Sequence, residues 1–111
     1  MRVWDVDVGL LCDRHLLGEH RELHAIWTIL SEARKGYSRH PETLRWVGHL
    51  PALFARHEAQ VAEMARRGFQ HASPLDAALA TGSAEPPPML ETVADQIARL
   101  QQRDCDCFGR P

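Results

Sequence analysis

The residues best suited to chemistry lie between His15 and Leu23, where the chain reads HLLGEHREL. On a helix, His15, Glu19 and Glu22 stand at i, i+4 and i+7 and share one face. Arg14 and Arg21 lie seven apart on an adjacent stripe, and His20 and His24 form a second i, i+4 pair. Three readings are open to such a run. It can be a solvated outer face laced by Glu–Arg and Glu–His pairs. It can be a metal site, in which His20 and His24 share an ion with a carboxylate and a further histidine from a second helix. It can be a catalytic face. Seven histidines in 111 residues produce this spacing readily by chance, so no metal and no cofactor are expected.

Covalent chemistry needs a nucleophile. Of the 13 basic residues only Lys35 is a lysine, so the chain offers two primary amines, Lys35 and the α-amine of residue 1. Arginine in all other basic positions suits bidentate contact with phosphate. The net charge of −2 does not by itself suggest a nucleic-acid partner. Within residues 33–72, however, Arg34, Lys35, Arg39, Arg45, Arg56, Arg66 and Arg67 outnumber Glu42, Glu58 and Glu63. An anionic partner is expected to meet this middle stretch.

The elements that must position these groups are helices. Residues 1–12 read as extended or turn-like, with Trp4, Leu10 and Leu11 as core anchors. Asp13 can cap a helix whose apolar positions Leu16, Leu17, Leu23, Ile26, Trp27 and Leu30 recur at steps of three and four, out to about Ala33. Gly36, Tyr37 and Ser38 break it. His40-Pro41-Glu42 can open a short helix, and Pro51 suits the first turn of a second long one. Leu50, Leu53, Phe54, His57, Val61 and Met64 mark the inner face of that second helix, and Gly68 its left-handed end, with Phe69 packing behind. Residues 70–88 read as loop with one helical turn near Leu75–Leu79, stiffened by Pro86, Pro87 and Pro88. A third helix is expected from about Met89 to Arg103, with Leu90, Val93, Ile97 and Leu100 inward. The expected architecture is all-α: one compact domain over residues 1–111, of three main helices with irregular connections. Residues 104–111 are expected to be a frayed tail.

Composition sets further bounds. Apolar residues make up 44% and charged residues 25%, as in ordinary globular chains. No apolar run approaches the roughly 20 residues that span a bilayer, and the first residues do not read as a secretory signal. An odd cysteine count (Cys12, Cys105, Cys107) argues against a disulfide framework. Cys105 and Cys107 are read as solvated thiols, because a two-residue spacing in a tail is a weak pairing or metal signal. A cytoplasmic, nucleoid-associated monomer without membrane contact is the expectation.

The run from His15 to Leu23 resembles the first-helix motif of the phage-type pyrimidine-dimer DNA glycosylase/AP lyases, a His-Leu-x-x-Glu-x-Arg-Glu-Leu run shortly after the N-terminus. Its distance from residue 1 fits as well. So does Gly48-His49, followed by a long helix that ends in Arg67-Gly68-Phe69. The resemblance covers residues 1–30 and 48–69. It implies a compact helical fold and a double-stranded DNA substrate holding damaged or abasic sites.

The resemblance also implies roles. The nucleophile is the α-amine of the N-terminus, which Met1 supplies, and the acidic catalytic residue aligns with Glu22. Arg2 and Arg21 align with arginines that grip the damaged strand, and His15 lies beside the site. Arg14, Lys35, Arg39, His49 and Arg56 join them as expected DNA contacts. The amine attacks C1′ of the damaged nucleoside, and the imine then permits β-elimination of the 3′ phosphate. An α-amine ordinarily titrates near about 7.7–8.0 and a lysine near about 10.4, so at pH 7 roughly a tenth of the former and well under a thousandth of the latter is neutral. Three departures stand out: Met1, followed by Arg2, aligns with the small residue at which the phage enzyme's mature chain begins, Ala25 or a neighbour occupies the region where that enzyme has a further arginine, and DCDCFGRP lacks its basic, aromatic C-terminal segment. Dimer specificity is therefore less firmly implied than lyase chemistry. Two other readings stay open: a helical protein that binds DNA or a partner without catalysis, and a His/Glu metal-binding helical protein.

Overall fold

A computed structural model describes residues 1–71, 73–103, Cys105 and Cys107. Four α-helices stand among them: α1 (Asp13–Ser31), α2 (Pro41–Arg45), α3 (Leu50–Arg66) and α4 (Val93–Gln101). Two 3-10 turns, Val8–Leu10 and Ala77–Leu79, lie in the connections, and no strand occurs among the described residues. The three main helices and the short one at Pro41 are those that periodicity and proline placement predict. The radius of gyration is 13.8 Å, close to the roughly 13 Å of a compact chain this long.

Helix α1 forms because Leu16, Leu23, Ile26 and Trp27 recur on one face, and all four are buried. Its cap is Cys12, one residue before the expected Asp13, which sits in the first turn. In α2 the His40 side chain accepts from the Glu42 N–H at 3.1 Å, and proline fills the first turn, where no N–H is needed. Helix α3 ends at Gly68, with φ +88°. There the Phe69 N–H reaches the Met64 carbonyl (2.8 Å) and the Gly68 N–H that of Ala65 (3.0 Å), a Schellman ending that requires the left-handed residue. Gly82 fixes the long loop to the head of α3. A Cβ there would stand 2.4 Å from the Gly48 carbonyl oxygen, which accepts from Ser83 N–H at 2.8 Å.

Two apolar clusters make the interior. Val3, Leu23, Ile26, Trp27, Trp46, Leu50 and Leu53 form the first; Trp4, Val6, Leu11, Leu16, Met64, Leu100 and Cys107 the second. Residues 3–6 therefore thread between them as extended chain without a sheet. A buried backbone must satisfy its polar groups, and here side chains do so. Val3 N–H donates to Glu42 (3.2 Å), Trp4 N–H to Glu19 (2.8 Å) and Asp5 N–H to Gln96 (2.7 Å). Arg45 donates to the Val3 carbonyl (2.8 Å) and Arg56 to that of Val6 (2.7 Å). All four helices thus hold the first six residues.

Several expectations need correction. Leu10 is exposed, because the Asp7-capped 3-10 turn directs the core contact to Leu11. Leu17 also reaches solvent. Helix α4 begins at Val93, after Thr92 caps it through Asp95 N–H (3.1 Å), so Leu90 and Val93 stay exposed. Its inner face is Gln96, Ile97 and Leu100, with Gln96 also donating to Asp5 at 2.9 Å. In the tail, Cys107 is buried and Cys105 half-buried, so neither is a solvated thiol. The remaining residues of 104–111 lie outside the described ones.

Candidate active site

The face of α1 that carries His15, Gly18, Glu19 and Glu22 forms one wall of a cavity of about 200 Å³. Met1, Arg2 and Trp4 from the threaded N-terminal segment form another wall, and Arg14 and Arg103 complete it. Gly18 lies on this wall, where an added Cβ would meet nothing within 4 Å. The cavity thus joins residue 1 to two carboxylates.

The two carboxylates differ in environment. Glu19 is fully buried and saturated with donors. Arg56 meets it twice (Nε 2.8 Å, Nη2 2.9 Å), Gln60 donates at 2.5 Å, and Trp4 N–H adds a fourth bond. Glu22, one turn on, is half-buried and has no hydrogen-bond or ion-pair partner among the described residues. Glu19 is therefore a structural anchor for the N-terminal segment, whereas Glu22 has free lone pairs facing the cavity. Three arginines, Arg2, Arg14 and Arg103, line the same cavity. Arg2 lies over the Trp4 ring (4.3 Å to its centroid) and is ion-paired with Glu91 at 2.5 Å. Arg99 and then Arg2 hold the Glu91 carboxyl below its usual range. Burial, followed by the charges of Arg103 and Arg14, lowers the pKa of His15.

Of the expected site residues, the cavity gathers Met1, Arg2, Arg14, His15 and Glu22. It does not gather the rest. Arg21 is exposed and lines a neighbouring depression with His20, His24 and His71. Lys35 and Arg39 are exposed around a depression in the loop after α1. His49 precedes α3 and its Nδ1 lies 2.9 Å from the Glu85 carbonyl oxygen. Arg56, expected as a DNA contact, turns inward to Glu19 and Val6. The positive middle stretch is likewise spent largely on the protein itself: Arg45 pairs with Glu42 and Asp5, Arg66 and Arg67 with Glu63, and Arg34 with Glu32. The guanidinium groups of Arg66 and Arg67 hold the Glu63 carboxyl down to about 2.

The inward role of Arg56 has a measurable consequence. Arg56→Ala leaves the Glu19 carboxylate buried without its cation, and breaking such a pair costs about 3–5 kcal/mol. Urea unfolding of the variant is expected to show a loss of that size. An unchanged midpoint with weakened DNA binding would instead make Arg56 a surface contact.

Sequence reasoning did not name Trp4, Gly18 or Arg103 for the site, and it set Glu19 on the face of His15 and Glu22 without giving it a role. Glu19 shares the face of His15 and Glu22, so its place in the wall was readable; its burial was not, because Arg56 and Gln60 arrive from α3. A second histidine group also emerges. His20 and His24 on α1 meet His57 on α3 and His71 beyond it. Burial and then the neighbouring imidazoles push His24 down to about 4, and burial likewise lowers His20.

No curated protein and no solved structure matches the chain. The family model described as pyrimidine dimer DNA glycosylase matches residues 1–77, more than two thirds of the sequence and all of the cavity's residues except Arg103. The chain therefore belongs to the pyrimidine dimer DNA glycosylase family, and with it to the enzymes of DNA repair.

Proposed function

We propose that this protein is a DNA glycosylase/AP lyase that works through an imine on the amine of residue 1. The observation that carries the reading is that Met1 and Glu22 line one cavity, with Arg2, Arg14 and Arg103 around it. The amine lone pair attacks C1′ of the damaged nucleoside. The N–C1′ bond forms, the glycosidic bond breaks, and the base leaves with its electron pair and takes up a proton. Ring opening gives the iminium. Loss of the C2′ proton then sends electrons toward C3′ and expels the 3′ phosphate, and water finally hydrolyses the imine.

Glu22 serves this sequence at three points: it takes the amine's proton, opposes positive charge developing on the sugar, and assists removal of the C2′ proton. Arg2, Arg14 and Arg103 line the cavity and meet phosphates flanking the lesion by exchanging their contacts within the protein, in Arg2 the ion pair with Glu91. Arg21, Lys35, Arg39 and His49 lie on outer faces, where they serve as backbone contacts to a longer duplex. The cavity is smaller than the roughly 300–1,000 Å³ of ordinary small-molecule pockets. That size favours attack on a sugar brought to its mouth over capture of an entire dimer. A kinked or abasic duplex exposes such a sugar at lower cost than an intact one.

The test uses duplexes carrying one abasic site or one cyclobutane pyrimidine dimer. Incision of both, and a covalent protein–DNA adduct on borohydride reduction, is the expected result. Binding without incision or adduct on either duplex would overturn catalysis and leave a DNA-binding protein.

A further inference from the structure

We propose that His20, His24, His57 and His71 form a four-coordinate site for a divalent transition metal, zinc by its chemistry. One ligand nitrogen from each lies within 4.8 Å of the others. The six ring-to-ring centroid distances run from 4.6 to 6.1 Å. The Nε2 atoms of His20 and His24 are 3.1 Å apart; four nitrogens about 2.0–2.1 Å from one zinc would stand about 3.3–3.4 Å from each other.

The surroundings favour the same reading. The Nε2 atoms of His57 and His71 are buried without any hydrogen-bond partner, an unfavourable state for a polar atom unless something else takes its lone pair. In two of the four the other ring nitrogen is occupied: His20 Nδ1 lies 2.7 Å from the Gln60 amide oxygen and His57 Nδ1 3.1 Å from the Glu58 carboxylate. Ligand histidines are commonly oriented by an outer acceptor of this kind, which leaves the far nitrogen free for the metal. Imidazole ligands suit zinc, and four protein ligands leave no open position, so the site is structural rather than catalytic. Gln60 also donates to Glu19. The metal would therefore brace the network that holds Trp4 and the segment ahead of it.

A second cluster carries the same kind of inference on separate observations. Cys12 and His15, spaced C-x2-H at the head of α1, meet Cys105 and Cys107, spaced C-x-C after α4, again with ligand atoms within 4.8 Å. His15 Nδ1 stands 3.2 Å from Cys12 Sγ and 3.4 Å from Cys107 Sγ, and Cys12 N–H donates to Cys107 Sγ at 3.1 Å. Three thiolates and one imidazole are a structural zinc donor set. Metal here would fasten the chain beyond α4 to the edge of the cavity.

The test is metal analysis of the purified protein, followed by chelation and titration of the folded apoprotein with zinc and with cobalt(II). Two equivalents per chain are expected. Cobalt in the histidine site gives tetrahedral d–d bands without thiolate charge transfer; cobalt in the cysteine site adds a sulfur-to-cobalt charge-transfer band. His71→Ala should lose one equivalent, or about 100-fold or more in its affinity, and keep the charge-transfer band; Cys105→Ser should do the reverse. Full wild-type stoichiometry and affinity in His71→Ala would overturn the four-histidine site, and the same in Cys105→Ser the second. Should a variant not fold, the wild-type cobalt spectrum decides. Absence of a four-nitrogen tetrahedral signal rejects the first site, and absence of charge transfer the second.

Discussion

Glu22→Gln is expected to lower strand cleavage at an abasic site by about two orders of magnitude or more, as loss of a positioned general base does. The substitution keeps size and polarity and removes only the ionisable group. Two carboxylates line the cavity, so the expectation must separate them. Glu19 already accepts from Arg56, Gln60 and the Trp4 backbone, and has no lone pair to spare for a substrate proton. Glu22 has no such partners among the described residues. Glu19→Gln should consequently lower stability, through the Arg56 cation it leaves buried, whereas Glu22→Gln should leave the unfolding midpoint nearly unchanged. Single-turnover cleavage and urea unfolding of both variants distinguish the two roles. Near-normal cleavage by folded Glu22→Gln would remove Glu22 from the mechanism.

The helices were legible because their signals are local. Leu16, Leu23, Ile26 and Trp27 declare the face of α1 at a period of 3.6, and Pro41, Pro51 and Gly68 punctuate α2 and α3 through backbone geometry alone. The misplaced start of α4 has a local cause as well. Thr92 followed by Asp95 is a capping signal, and the apolar residues Met89, Leu90 and Val93 ahead of and beside it drew the reading outward. What could not be read was the state of the polar side chains. Glu19, Glu42, Arg45, Arg56 and Gln96 look like surface residues in composition. They are buried, or nearly so, because residues 3–6 run through the core with backbone groups that need partners. That demand arises only once all four helices are assembled. The two clusters of metal-ligating side chains were legible only in part. His20 and His24 are readable as a pair, but His57 and His71 complete the group through the packing of α3 and the loop beyond it. Cys12 and Cys107 are 95 residues apart in sequence.

When the protein is incubated with abasic-site DNA and borohydride, the covalent adduct is expected on residue 1 and nowhere else. Two amines compete. At pH 7 an ordinary α-amine is neutral to roughly a tenth and an ordinary lysine to well under a thousandth, a ratio of more than about 100 in favour of the terminus. Placement points the same way. Lys35 is exposed beside Tyr37, Ser38 and Arg39 in the loop after α1, in a depression that shares no lining residue with the cavity of Glu22. Residue 1 is held at that cavity. The segment behind it is pinned by Glu42, Glu19 and Gln96. The Met1 side chain packs against the first core cluster and its sulfur accepts from Thr43 Oγ1 at 3.3 Å. Met1 is thereby seated by its own thioether. Digestion and mass spectrometry of the reduced complex should place the sugar adduct on the N-terminal peptide. The adduct should persist in Lys35→Arg and vanish when the terminus is acetylated or left formylated. An adduct that survives terminal blocking and disappears in Lys35→Arg would transfer the nucleophile to the lysine and leave Glu22 without its proposed partner.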